Sequence, residues 1–231
     1  MNNESYNARL FAFDDILYLD NHLLVISKPS GITTLPDEYH QKSITCIMKD
    51  RIKTVMKKTG NVFLQPAHQI DKDVSGILVM ARTSKSLSRL SETIRSGKWK
   101  KFYAAQISSR QVKPKRLTHY LKKEMFYTKV YDDDHIDRKQ ACLTINNVIQ
   151  INNDQYIWIE LHTGRYHQIR AQLAHIGNPI IGDRKYGSKI TITNKIHLHH
   201  ARVCFKHPTK DEFVEVEAPA PSWWYSTSYD S

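Results

Sequence analysis

Five consecutive apolar residues, Ile77-Leu78-Val79-Met80-Ala81, stand directly behind a cluster of charge in the stretch "AHQIDKDVSGILVMARTSK", residues 67–85. The run is bounded by Ser75-Gly76 on one side and Arg82-Thr83-Ser84 on the other, which reads as a buried strand. Asp71, Lys72 and Asp73 crowd its mouth. Asp and Ser favour turns because their side chains bond to nearby backbone groups. A carboxylate placed there is therefore either a turn residue or a catalytic acid, and this segment taken alone favours the turn.

The rest of the chain supplies partners for that strand. "ILYLDNHLLVISKPSGI" reads as strand, Asp-Asn turn, strand and a Lys-Pro-Ser-Gly loop. "SITCIMKDRIKTVMKK" carries apolar residues at helical spacing with Ser43 as N-cap, and "TSKSLSRLSETIRSGKWKK" a second helix, capped near Thr83 or Ser84 and closed at Gly97. "KFYAAQI", "THYLKKEMFYTKVY", "ACLTINNVIQI" and "QYIWIELH" favour strands of the half-buried antiparallel kind. "RYHQIRAQLAHIG" returns to helical spacing and stops at Gly177, and "HLHHARVCFKHP" and "DEFVEVEAPAP" read as two closing strands. Helices interspersed in an antiparallel-rich set of strands define the α+β class, and without repeats or a flexible linker one domain is expected.

Charge narrows the function. Against 23 acidic residues the chain has 34 Lys and Arg, a net charge of +11. Such an excess points to a polyanionic partner, most often nucleic acid and less often an anionic membrane surface. No stretch approaches the roughly 20 apolar residues of a membrane span, and the N-terminal "MNNESYNARLFAFDDI" has no signal-peptide pattern. Cys46, Cys142 and Cys204 are too few and too far apart for a disulfide framework or a zinc motif. A cytoplasmic protein is expected.

Two further segments carry chemistry. "LHTGRYHQIRAQLAHIGNPIIGDRKYG" (161–187) gathers Arg165, His167, Arg170 and His175 around a helix start. Cations there oppose the helix macrodipole, a small cost that an anionic partner offsets. "SGKWKKFYAAQI" (96–107) interleaves Lys100 and Lys101 with Trp99, Phe102 and Tyr103, a pattern suited to phosphates and stacked bases, although Phe102 equally suits a strand's core face.

These segments together resemble the RluA-type pseudouridine synthases, enzymes that isomerise uridine in ribosomal or transfer RNA. The resemblance runs from about Ile16 to Pro221. "HQIDKDVSGILVMAR" is similar to the family signature His-Arg-Leu-Asp-x-x-Thr-Ser-Gly, and places the catalytic aspartate at Asp71 rather than Asp73. "KKFYAA" resembles its Lys-x-Tyr-x-Ala strand and brings Tyr103 into the active site; "TGRYHQIR" resembles Thr-Gly-Arg-x-His-Gln-Ile/Leu-Arg and makes Arg170 the partner of the catalytic carboxylate. "ILYLDNHLLVISKPSGI", "GNPIIGDRKYG" and "LHHARVCFKHP" occupy the family's order.

The resemblance implies a pseudouridine synthase fold: a mixed, mainly antiparallel sheet with flanking helices and a central RNA-binding cleft. Residues 16–221 are expected to form the catalytic domain, 1–15 an N-terminal extension and 222–231 a tail, without the S4-like domain of many relatives. His68, Gln69, Lys72, Lys100, Lys101, Arg165, His167 and Gln168 are the implied RNA-binding residues. The partner is a structured rRNA or tRNA, and the chain is expected to act as a monomer. The reaction breaks the N1–C1′ bond, turns the uracil and rejoins it through C5, so it calls for no cofactor and no metal. An ionised buried Asp71 needs a counter-charge, which Arg170 supplies through paired N–H donors, while Tyr103 stacks on the uracil.

Two residues depart from the pattern: Gln69 replaces the arginine after the signature histidine, and Gln172 replaces a histidine two residues beyond Arg170. They motivate an alternative, an RNA-binding protein derived from the family that no longer catalyses. His197 and His199 alternate at a spacing open to a metal, but the resemblance makes His199 structural and no Cys or carboxylate lies nearby in sequence.

Overall fold

The computed structural model describes residues 15–39, 42–55, 57, 59–108, 112–151 and 154–224. The expected N-terminal extension lies outside these except for Asp15, as does most of the expected C-terminal tail. Among the described residues eleven strands alternate with three α-helices, and the chain divides into two compact units. The α+β class expected from the sequence is what the chain forms.

The first unit comprises residues up to Trp99 together with Val203–Pro219. Strand β1 (Ile16–Leu19) pairs antiparallel with β2 (Leu23–Lys28), and β2 with β4 (Ser75–Ala81) in continuous register from Leu23↔Ala81 to Lys28↔Gly76. The short β3 (Gln65–Pro66) also lies on β4. All seven residues of β4 are buried, because both faces of the sheet are covered. Alternation sends Ile77, Val79 and Ala81 into one core with Leu90 of helix α2 (Ser84–Arg95), while Leu78 and Met80 enter another with Ile44, Met48 and Ile52 of helix α1 (Ile44–Val55). Those three α1 residues recur every four positions, one apolar stripe of a helix. The expected caps are present. Cys46 N–H donates to Ser43 Oγ at 3.3 Å, Ser86 N–H donates to Thr83 Oγ1 at 3.1 Å, and Gly97 follows α2 with φ 68°.

The second unit holds residues Lys100–Arg202 and 220–231. Its strands run in the spatial order β5 (Lys100–Ile107), β9 (Asp154–Leu161), β8 (Lys139–Ile151), β6 (Lys115–Lys123), β7 (Thr128–Tyr131), every neighbouring pair antiparallel. Burial alternates along β9, the mark of a sheet with one wetter face. The single apolar run read at 118–131 is two strands: Glu124 N–H donates to the Tyr127 carbonyl at 2.9 Å and closes a hairpin between β6 and β7. Helix α3 (Gln168–His175) packs on β6 and β7, and Gly177, φ 75°, ends it as expected. Strand β10 (Leu198–Lys206) contributes residues to both units, and β11 (Phe213–Glu217) pairs with it. The three cysteines are free thiols, and no helix among the described residues is long and apolar enough to cross a membrane.

One polar knot holds the first unit's edges. Asp20 accepts the backbone N–H groups of His22 and Leu23 at 2.7 and 2.8 Å and the Nε2–H of buried His207 at 2.9 Å. His207 Nδ1 in turn accepts Lys210 N–H at 3.0 Å, so its proton is fixed on Nε2. Burial pushes the Asp20 carboxyl upward, but these donors outweigh it and hold the pKa at about 2. A carboxyl with a depressed folded-state pKa stabilises the fold above its unfolded value near 3.8, and that contribution disappears as pH falls toward 2. Asp20→Asn is expected to cost about 1–3 kcal/mol at neutral pH, and to flatten the loss of stability between pH 4 and 2. Urea denaturation across that range checks both.

Candidate active site

Asp71 lies in the turn ahead of β4, half-buried, with Lys72 and Asp73 beside it. The turn reading is correct for its backbone, since Val74 N–H donates to the Asp71 carbonyl at 3.2 Å. The turn is tied down by the Lys-Pro-Ser-Gly loop. Lys28 Nζ donates to the carbonyls of Pro29, Ile32 and Lys72 at 2.8, 2.9 and 3.2 Å, and Gly31 N–H donates to the Lys72 carbonyl at 2.8 Å. Lys28 is fully buried. Burial lowers its pKa to about 7, against the upward pull of Asp71 and Asp73. Three carbonyl acceptors take all three N–H bonds of the ammonium form. Opposite Lys28 in the β2–β4 ladder stands Gly76, whose φ of 111° only glycine adopts without strain. The signature's glycine thus lets the chain turn into β4 beside the lysine. Sequence reading passed over Lys28, and a lysine inside a Pro-Ser-Gly loop carries no pattern that betrays burial.

His68 is committed to the same frame. Its Nε2 accepts Val79 N–H at 3.1 Å and its ring meets the edge of Trp99 at 5.6 Å. It pins the approach to the Asp71 turn onto β4. Gln69 is exposed, and the Lys72 side chain is half-buried.

In the second unit, Tyr103 on β5 is 6% exposed and stacks on His200, ring centroids 4.5 Å apart and planes 13° from parallel. His200 is a support that sequence reading missed. Two residues earlier on the same strand, Lys101 is half-buried, and burial lowers its pKa. Its Nζ lies 3.4 Å from where a side chain on Gly164 would begin, and among the described residues it has no carboxylate partner. Lys100 is exposed.

Arg170, 4% exposed, projects from the first turn of α3 onto Asp183, itself 1% exposed. Nε donates to Oδ2 at 2.7 Å and Nη2 to Oδ1 at 2.9 Å, a bidentate pair. Tyr186 lies beside the guanidinium, 5.1 Å from ring centre to Cζ. The anionic group that a cation at this helix start calls for is therefore supplied in part from within the chain. Asp183 is held by a tight turn. Gly182 has φ 86°, and a Cβ there would lie 2.9 Å from the Lys195 carbonyl. Sequence reading did not single out Asp183; thirteen residues and a turn separate it from Arg170.

The loop before α3 is built around Gln168. Its Oε1 accepts Arg165 N–H at 3.0 Å and the Thr163 hydroxyl at 2.8 Å. Its Nε2 donates to the Cys142 carbonyl and to Gln172 Oε1 at 3.2 and 3.0 Å. At 3% exposure with these bonds made inside the protein, Gln168 shapes the loop rather than presenting a surface to RNA. Arg165 is exposed, with Nε on the Gln140 carbonyl. His167 is buried in a left-handed backbone conformation, φ 51°, which costs a non-glycine residue about 1–3 kcal/mol. Stacking on Tyr166 at 3.8 Å and a 3.0 Å hydrogen bond with the Tyr186 hydroxyl hold it there.

The relay continues outward. Since Gln168 fixes the orientation of Gln172, the Gln172 amide nitrogen faces His119 Nδ1 at 2.9 Å and places that ring's proton on Nε2. His119 Nε2 lies 3.8 Å and His175 Nε2 3.0 Å from Asp132 Oδ1, a grouping with metal-like spacing that sequence reading did not anticipate. A protonated Nε2 presents a hydrogen where a metal needs a lone pair. Gln172, the departure from the family pattern, is fully accommodated within this relay. The other histidine segment is packing: His197 stacks on Trp224 with its Nδ1 bonded to Gln106 Oε1, and burial pushes its pKa down to about 4. His199 is 1% exposed.

Comparison with known proteins gives the chain a family. A family model described as RNA pseudouridylate synthase matches residues 22–175. The chain belongs to that family. Uncharacterized RNA pseudouridine synthase YhcT of Bacillus subtilis is 31% identical over 217 residues, covering 90% of this chain and 69% of the relative. Dual-specificity RNA pseudouridine synthase RluA of Pasteurella multocida is 26% identical, covering 93% of this chain and 97% of the relative. Among solved structures, Human RNA Pseudouridylate Synthase Domain Containing 4 aligns with a TM-score of 0.79 at 19% identity, over 96% of this chain and 93% of that one, and so shares the pseudouridine synthase fold. The family is of the RluA type, and its members are isomerases.

Lys28 is the site's least expected member and the easiest to interrogate. Lys28→Met leaves three carbonyls without their donor and is expected to lose about 2–4 kcal/mol of stability. Wild-type stability should also gain, relative to the variant, as pH rises from about 7 toward 10, because over that range the unfolded lysine still holds a proton that the folded one has released. Denaturation of both proteins between pH 6 and 10 checks the loss and the slope.

Proposed function

We propose that the chain isomerises uridine to pseudouridine in a structured ribosomal or transfer RNA, acting as a monomeric catalytic domain over residues 16–221. The observation that carries this reading is the presence of Asp71, Tyr103 and Arg170 at their motif positions in a chain that matches the family across residues 22–175. Asp71 starts cleavage of the N1–C1′ bond. The uracil turns, C5 bonds to C1′, and the C5 proton leaves as N1 regains one. Nothing is oxidised and no group is imported. Tyr103, steadied by His200, offers the aromatic surface for the uracil, and Arg170 supplies positive charge in a geometry fixed by Asp183.

RNA is the partner that suits the free cations. Lys101 carries a charge that burial disfavours and no described carboxylate offsets, so a phosphate gains more there than at a solvated lysine. Lys100, Arg165 and the exposed Gln69 extend the contact. His68, His167 and Gln168 act by shaping the two motif loops. The target uridine leaves its stack to be reached, at a cost of a few kcal/mol.

Asp71→Asn keeps the side chain's shape and removes the carboxylate. It is expected to bring turnover below detection while the protein stays folded and still binds RNA. The assay is release of tritium from C5-labelled uridine in unmodified transcripts of large-subunit rRNA and tRNA. Turnover by the variant near the wild-type rate overturns the role of Asp71; a wild type that binds these transcripts and releases no tritium favours the non-catalytic RNA-binding alternative.

A further inference from the structure

The tip of the β6–β7 hairpin presents three consecutive large apolar side chains to solvent. Met125 is 81% exposed, Phe126 58% and Tyr127 40%, and Tyr166 of the loop before α3 is also 40% exposed. Large apolar side chains grouped on a soluble surface mark an interaction site. Cations surround the group. Lys123 lies over the Tyr166 ring at 4.7 Å, Lys185 Nζ donates to the Phe126 carbonyl at 3.1 Å, and Lys129 is exposed beyond the turn. Glu124 is the acid within the turn, and Lys122 is already neutralised by Asp137 at 2.6 Å.

The hairpin is fastened to the motif loop. Thr128, 4% exposed, donates its N–H to the Tyr186 hydroxyl at 2.8 Å and its own hydroxyl to the Tyr166 carbonyl at 2.7 Å. Tyr186 is the same residue that holds His167 and flanks Arg170. The tip is thus a projection with a rigid base, tied through hydrogen bonds to the Thr-Gly-Arg-Tyr-His loop.

We propose that this tip stacks on unpaired bases of the RNA neighbouring the target uridine, with Phe126 as the principal stacking surface and Lys123 and Lys185 on the backbone. This inference rests on the RNA-modifying reading of the site to which the hairpin is fastened. The reasons for RNA over a protein partner are the excess of cations around the ring group and its setting in a chain of net charge +11. Aromatic faces interleaved with lysines serve single strands, because every base has a π-face and every nucleotide a phosphate.

The test compares affinity for a uridine-rich single-stranded RNA and for a perfectly paired RNA duplex of equal length. Phe126→Ala is expected to weaken single-strand binding by about tenfold, or about 1.4 kcal/mol, with duplex binding within about twofold of wild type. Its log–log salt slope should equal wild type, whereas Lys123→Ala should lower the slope by about 0.7. Phe126→Trp should restore the affinity. Because Phe126 lies on the surface, its replacement leaves the fold intact, which the melting temperature verifies. No wild-type binding to the single strand, equal loss on both RNAs, or a wild-type dimer that Phe126→Ala turns into a monomer on sedimentation overturns the proposal. These readouts measure binding alone, so a protein that makes no pseudouridine yet loses single-strand affinity in Phe126→Ala defeats the catalytic reading and leaves this one standing.

Discussion

A guanidinium and a carboxylate, both nearly excluded from water, set the terms for the second unit. Taking two such charges out of solvent is expensive, and only close bidentate geometry with further hydrogen bonding recovers the loss. The Arg170–Asp183 pair meets that condition. Its demands explain neighbouring features: Gly182 has no side chain because a backbone carbonyl lies against it, and Tyr186 lies beside the guanidinium. Tyr186 then reaches both His167 and the hairpin through its hydroxyl. A strained His167 is tolerated because the structure around it leaves no alternative.

The first unit solves a related problem with a lone cation. Lys28 is fully buried, and the backbone carbonyls of Pro29, Ile32 and Lys72 replace water around its ammonium. One of those carbonyls belongs to Lys72, so the lysine also fixes the turn that carries Asp71. In both units a buried charge orders a loop that bears a motif residue. Catalysis that depends on placed charge benefits from this, since groups held in advance need no reorganisation as the reaction proceeds.

Much of this was legible in the sequence. The apolar run 77–81, the caps at Ser43 and Thr83 and the stops at Gly97 and Gly177 follow from local rules, and the structure has all of them. What escaped were relations between distant side chains. Asp183, His200 and His119 become partners of Arg170, Tyr103 and Gln172 through strand register and turns, and no periodicity encodes that. The hairpin within 118–131 was missed because Met125, Phe126 and Tyr127 continue the apolar alternation through the turn itself, at residues whose side chains face solvent. Exposed aromatics are where a pattern rule built on burial fails, and here the failure falls beside a motif loop.

Arg170 and Asp183, joined by two hydrogen bonds, act as one unit on which the loop before α3 depends. A double-mutant cycle of Arg170→Met, Asp183→Asn and the pair, read by both stability and pseudouridine formation, addresses this directly. Each single variant should lose about 3–5 kcal/mol, because it strands the other charge. The double variant should lose less than the sum, with a coupling energy of about 2–3 kcal/mol, and all three should be impaired in turnover. Strict additivity in stability, or a single variant with wild-type turnover, would mean that the two side chains act independently.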